Sequence, residues 1–304
     1  TVISGGLYNS AVSTYAVVGG GHENVNNGYA SIIGGGEYNF ADAAYAVIAG
    51  GRDNNNTGHG SAIGCGCDNL ATSGCGVVSG GCYNSNAGTN GVVGGGIYNS
   101  VSGLASTVSG GQNNVAMSNF TVVGGGLDNS ASFLGAVVGG GRGNDVTASW
   151  SAIAGGRNNL VAAAAATIGG GTHNSNIGDG AVIAGGVFNQ AAGRWSTISG
   201  GRNNTLQSAS MSSVIAGGKH NSVDAAFAVI AGGQGNVAAG TWSVVGGGAG
   251  NSALGANSLA QGTAAVAEHN WAAVLSFSAS NETCRSPTNS TITLCADNGV
   301  FVNG

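Results

Sequence analysis

Apolar and polar positions recur with one period along nearly the whole chain. Asparagine stands at Asn9, Asn24, Asn39 and every fifteenth residue thereafter to Asn204, and after a single spacing of 17 the period resumes through Asn221, Asn236 and Asn251. Six residues before each of these asparagines sits a valine or isoleucine, from Ile3 and Val18 to Ile230 and Val245. A helix spreads its apolar positions at spacings of three and four, whereas each repeat here holds one x-A-V-V/I-G-G run. β-Branched residues in such a run predict a strand of about four residues, one rung of a coil. The irregular spacing predicts a two-residue insertion in a loop near Gln207 to Met211.

Three residues before each asparagine stands a glycine, and the site before that is also glycine except at Cys65. A paired glycine suits a corner that needs positive φ or has no room for a Cβ. Asparagine itself tolerates the left-handed region, so the second corner is expected at the asparagine, with the side-chain amides of stacked coils forming a ladder. Small or aliphatic residues two places later (Ala11, Ala41, Val101, Leu206) predict a weaker second inward face. The expected fold is therefore all-β: a parallel β-solenoid, or β-roll, of about 17 coils over residues 1–270. A small β cap follows at 271–304, with strands expected at 271–277, 291–295 and 300–302.

Composition explains how such a coil turns and excludes several functions. The chain holds 61 glycines but one proline, with 7 basic and 12 acidic residues and a net charge of −5. Glycine at this level without a Gly-X-Y triplet excludes collagen, and the 42% of apolar residues argues against a disordered linker. No basic cluster offers a footprint for nucleic acid, and no apolar run approaches the roughly 20 residues of a membrane span. Neither partner is expected. No cofactor is expected either.

A turn of 15 residues encloses few side chains, and burial returns only about 25 cal/mol per Å². So thin a core predicts self-association. Seven aromatic residues fall on one phase, three before the Val/Ile column: Tyr15, Tyr45, Phe120, Trp150, Trp195, Phe227 and Trp242, with Tyr29 one residue out of phase. This stripe is expected to be a subunit interface, with a binding face as the alternative.

Stretches such as AVVGGGHENVNNGYASIIGGGEYN (residues 16–39) and SALGANSLAQGTAAVAEHN (residues 252–270) resemble the head repeats of trimeric autotransporter adhesins, the YadA-like family. Related repeats occur in phage tail fibres and environmental fibre proteins. The resemblance implies a left-handed parallel β-roll, a homotrimer and a role in surface attachment outside the cell. The coiled-coil stalk of that family has no counterpart, because no heptad run occurs. The first coil starts in register at Thr1, which suggests an open strand edge and end-to-end stacking against the C-terminal module of another copy. The expected function is a structural subunit of an extracellular fibre or filament. The alternative is an adhesive head or tail-fibre module that binds a host surface protein, matrix protein or glycan.

Six cysteines suggest three disulfides in an exported protein. Cys67 and Cys82 share a phase in adjacent coils, Cys65 and Cys75 are expected to pair across one coil, and Cys284 and Cys295 to close a hairpin around Pro287. A zinc site at Cys65, Cys67 and Cys75 is the minor alternative, since its spacing departs from C-x2-C. Glycosylation sequons stand at Asn55, Asn119, Asn203, Asn281 and Asn289.

Nothing in the pattern suggests catalysis. The histidines His22, His59, His173, His220 and His269 accompany no H-E-x-x-H and no acid/base pair, and read as surface residues on turns. The recurrent glycine runs lack the Gly-Lys-Ser/Thr of a phosphate loop. Calcium-binding β-rolls need an aspartate at every turn, and acids are too few here. Threonines at Thr107, Thr121, Thr167 and Thr197 leave an ice-binding solenoid as a minor alternative.

Overall fold

The structure, a computed structural model, describes residues 1–277 and 283–297. It divides into two compact units, residues 1–150 and 151–304. Each is a parallel β-solenoid; together they make about 19 turns of about 15 residues, with no helix among the described residues.

In the 1–150 unit each turn has three sides. The first carries a sheet, here sheet A, whose strands run from Val2–Ile3 and Val17–Val18 to Val137–Val138. The second carries sheet B, from Ser10–Ala11 and Val25–Asn26 to Asp145–Val146. Strands pair in parallel with their equivalents one turn on, Val18 beside Ile33 and Ser10 beside Val25. The third side is a ladder one residue wide, running through Leu7, His22, Glu37, Arg52, Cys67, Cys82 and onward to Arg142.

Two-residue strands alternate one side chain in and one out. The inward member in sheet A is the Val/Ile column, and Val18, Ile33, Ile48, Val78 and Val93 are all fully buried. Sheet B points small residues at it, such as Ala41, Ala71 and Val101. In three turns of the 1–150 unit, and in one of the other unit at Asn176, the inward residue is instead asparagine. Asn26, for example, is fully buried, and its Nδ2 donates to the carbonyls of Val17 and Ser31 while its Oδ1 accepts from the Ser31 hydroxyl. A polar side chain is tolerated there because every group on it is paired.

The expected ladder of periodic asparagines forms, but it lies inside the coil. Asn54 is representative. Its Nδ2 donates to Gly50 O at 3.1 Å and Gly66 O at 3.0 Å, and its Oδ1 accepts from the backbone N of Asn69 at 3.1 Å. The left-handed residue is not the asparagine but its predecessor: Tyr8, Glu23, Tyr38, Asp53, Asp68 and Tyr83 all have φ between 50° and 59°. The asparagine is held by its own buried bonds, so the residue before it takes the bend. The glycine corner is as expected. Gly21 has φ +96°, and a Cβ there would sit 2.0 Å from the carbonyl oxygen of Gly36. The neighbouring column is roomier, with open space beside Gly50, which explains how Cys65 is accommodated at that phase.

The 151–304 unit repeats this plan. Sheet A runs from Ala152–Ile153 to Ile292–Cys295, sheet B from Leu160–Val161 to Cys284–Arg285, and the third side from Arg157 through Thr172, Val187, Arg202, Lys219 and Gln234 to Ala249. The two-residue insertion loops outward between Thr205–Leu206 and Val214–Ile215, and the ladder crosses it unbroken, with Asn221 N donating to Asn204 Oδ1 at 3.1 Å.

The coil does not stop at residue 270. Ala273–Ser276 pairs in parallel with Leu259–Thr263 and then with Ile292–Cys295. The asparagine period ends because Ala265 occupies the next ladder site, where its backbone N still donates to Asn251 Oδ1. Residues 284–295 therefore make a further turn of solenoid where a hairpin was expected. The strand expected at 300–302 lies outside the described residues.

Candidate assembly surface

The outer side of sheet A is the most uniform surface of each turn. Its outward column in the 1–150 unit reads Val2, Val17, Ile32, Val47, Ala62, Val77, Val92, Thr107, Val122 and Val137. In the other unit Ala152, Thr167, Val182, Thr197, Val214, Val229 and Val244 continue the type. The column after the inward Val/Ile holds only Gly, Ala or Ser in every repeat, from Ser4 and Gly19 to Ala231 and Gly246. No charge stands on this side among the described residues. Its ribs are solvent-facing, with Ile32 44% and Val182 38% exposed. A sheet apolar on both faces is the signature of one that is covered on both faces.

The predicted aromatic stripe borders this side, at the corner between sheets B and A. All seven residues, Tyr15, Tyr45, Phe120, Trp150, Trp195, Phe227 and Trp242, have φ between 56° and 62°. Bulky side chains are uncommon in that region. Here the rings recover contact by lying against the previous turn: a Cβ on Gly135 would meet the Trp150 ring at 2.4 Å, and one on Gly180 would meet Trp195 at 2.3 Å. Phe227 and Trp242 stack at 4.2 Å. Tyr29, one residue out of phase, still joins the stripe, with its ring edge-to-face between Tyr15 at 5.8 Å and Tyr45 at 5.7 Å. Outer surfaces remain open, Tyr15 at 67% and Trp150 at 65%.

Two features escaped sequence reasoning. Trp271, at φ 59° and 65% exposed, extends the aromatic corner past the end of the asparagine period. A second aromatic set, Tyr8, Tyr38, Tyr83, Tyr98 and Phe188, occupies the left-handed site before the ladder asparagine. The signal was present, since all five precede a periodic asparagine.

Cys67 and Cys82 form a disulfide between adjacent rungs, with Cα atoms 4.6 Å apart, and Cys284 pairs with Cys295. Cys65 and Cys75 are free and exposed, so the third expected disulfide is not made. Cys75 stacks over Gly60, its N donating to His59 O, whereas Cys65 lies five residues beyond Gly60 at the far edge of sheet A. The Ala62–Ile63 rung of sheet A lies between the two positions, so the two thiols stand at opposite ends of it. The bond to Cys82 also removes Cys67 from the considered zinc set, and no metal-holding cluster occurs among the described residues.

Asn55 and Asn119 are exposed and Asn203 is half-buried. Asn289 is exposed, its Oδ1 accepting from Asn270 N, and Asn281 lies outside the described residues. Thr107, Thr167 and Thr197 stand in the outward column of sheet A, but Thr121 is fully buried, so the four threonines do not form one rank. His173 and His220 share the left-handed site, while His22 lies on the third side. No protein-family model matches the chain, and no curated protein matches it significantly.

Proposed function

We propose that the chain is a structural subunit of an extracellular fibre or filament, assembled by lateral packing of copies through the outer side of sheet A. The observation that carries this reading is the uncharged column of Val, Ile and Thr ribs beside a column of Gly, Ala and Ser. Ribs against small residues allow two such sides to approach closely, and burying them recovers the apolar area that a thin core lacks. The aromatic corner adds large apolar area at the rim of the same side. Two disulfides fit an oxidising compartment outside the cell. The homotrimer implied by the resemblance to adhesin heads is the arrangement we favour, since three sheet A sides cover one another around an axis.

Sedimentation equilibrium and negative-stain microscopy of the purified full chain test this. Trimers, or longer assemblies built from them, are expected. A chain that stays monomeric at high concentration overturns the proposal.

A further inference from the structure

The charges of the third side are sorted by position. Five of the chain's seven basic residues, Arg52, Arg142, Arg157, Arg202 and Lys219, stand in this one-residue ladder. The site that follows each ladder residue is the left-handed position before the asparagine, so two adjacent columns face outward together.

In the 1–150 unit, the stretch of this side from Asp68 to Asp128 carries a carboxylate at each end and no cation between. Its middle is apolar and exposed: Tyr83 47%, Ile97 45% and Tyr98 53%. Tyr83 and Tyr98 stack at 4.8 Å, and the Cys67–Cys82 disulfide braces the rungs beside them. In the 151–304 unit, the stretch from Arg157 to Lys219 is the reverse. Arg157 lies at one end, Arg202 and Lys219 at the other, and Val187 and the half-exposed Phe188 sit between, Phe188 stacked on His173 at 4.9 Å. It holds no carboxylate, and no ion pair engages its three cations among the described residues.

Both stretches cover four rung spacings, about 19 Å at 4.8 Å per rung. Each is an apolar centre with a charged rim, the anatomy of a protein interface, and the rims are opposite in sign. We propose that the Asp68–Asp128 stretch of one copy docks on the Arg157–Lys219 stretch of a second copy. Aromatic residues meet at the centre and carboxylates meet cations at both ends. The contact joins unlike patches, and each copy offers one of each, so copies link through it into a closed ring or an open filament. It rests on the fibre reading and adds a second contact, distinct from the sheet A side.

Charge reversal separates the two. The variants D68K/D128K and R157E/K219E change exposed or half-exposed side chains and leave the ladder asparagines and inward columns untouched. Circular dichroism checks each fold. Sedimentation velocity at low and high salt is expected to show wild-type chain forming species larger than the sheet A oligomer, shrinking to that oligomer as salt rises. Each variant alone is expected to lose the larger species, weakening that step at least tenfold. An equimolar mixture is expected to restore them, because the reversed patches now match each other. Variants that assemble as wild type, or a mixture that restores nothing, overturn the inference while leaving the sheet A oligomer standing. Loss of binding to a heparin column by R157E/K219E with assembly unchanged overturns it in favour of a polyanion site. A wild-type chain that is monomeric throughout overturns the fibre reading as well.

Discussion

Asn69 Oδ1 accepts two bonds from Asn84 in the next turn, one from its backbone N and one from its side-chain Nδ2, each 3.1 Å long. Asn84 Nδ2 also donates to Gly80 O and Gly96 O, both at 2.9 Å, and its Oδ1 receives Asn99 N at 3.0 Å. One amide therefore satisfies backbone groups of two consecutive turns and meets the side-chain amide of a third. Such groups are expensive to leave unmet in a buried site.

Replacing Asn84 by alanine strands the Gly80 carbonyl and the Asn99 N–H, and leaves Gly96 O only its bond from Cys82 N. The expected loss is on the order of 3 kcal/mol, at about 1–3 kcal/mol per unmet group. Asn84→Asp is expected to be similarly damaging, because a carboxylate has no hydrogen to give the two carbonyls. Denaturant unfolding followed by circular dichroism measures both. Wild-type stability in either variant would remove the ladder as a structural determinant.

Two adjacent glycines give opposite expectations. Gly51 has φ +99°, and a Cβ there meets Gly66 O at 2.1 Å, whereas a Cβ on Gly50 meets nothing within 4 Å. Gly51→Ala is expected to cost at least about 2 kcal/mol through backbone strain and clash. Gly50→Ala is expected to lie within about 0.5 kcal/mol of wild type. Thermal melts of the pair decide the matter, and equal effects contradict the corner geometry.

Val122→Lys with Val137→Lys places two cations on the outward ribs of sheet A. Surface changes of this kind alter stability by about 0.5 kcal/mol each, but a desolvated unpaired charge at an interface is costly. The folded double variant is expected to be monomeric by light scattering at high salt, where the charged contact of the third side is screened. An unchanged oligomer would move the interface to another side.

Thiol chemistry distinguishes the cysteines. Iodoacetamide under native conditions is expected to label Cys65 and Cys75 only, and the four disulfide-bonded cysteines only after reduction. Intact-mass and peptide mass spectrometry count the adducts. A native protein that takes up no label would show a third disulfide.

The coil was legible in the sequence because its inside is nearly invariant. The Val/Ile column, the glycine with no room for a Cβ, and the amide of Asn54 each meet a constraint that one or two residue types satisfy. The left-handed site before the asparagine was not legible, since Tyr8, Glu23, Asp53, Gly143 and His173 all occupy it and no single preference marks it. The turns beyond residue 270 were hidden for a different reason. Backbone pairing persists there after Ala265 has replaced the asparagine and the spacing has become irregular, so the sheet outlasts its motif. The aromatic corner was read from its phase, yet its bearing on assembly depends on the outward ribs of sheet A, which a search for buried positions passes over.

The insertion between Leu206 and Val214 bulges outward while Asn204 and Asn221 keep their bond. Every rung thus asks only that its immediate neighbours obey the same template. Slippage between misaligned repeats during DNA copying can add or delete whole rungs without spoiling those that remain, so gene length becomes a variable that selection can tune freely.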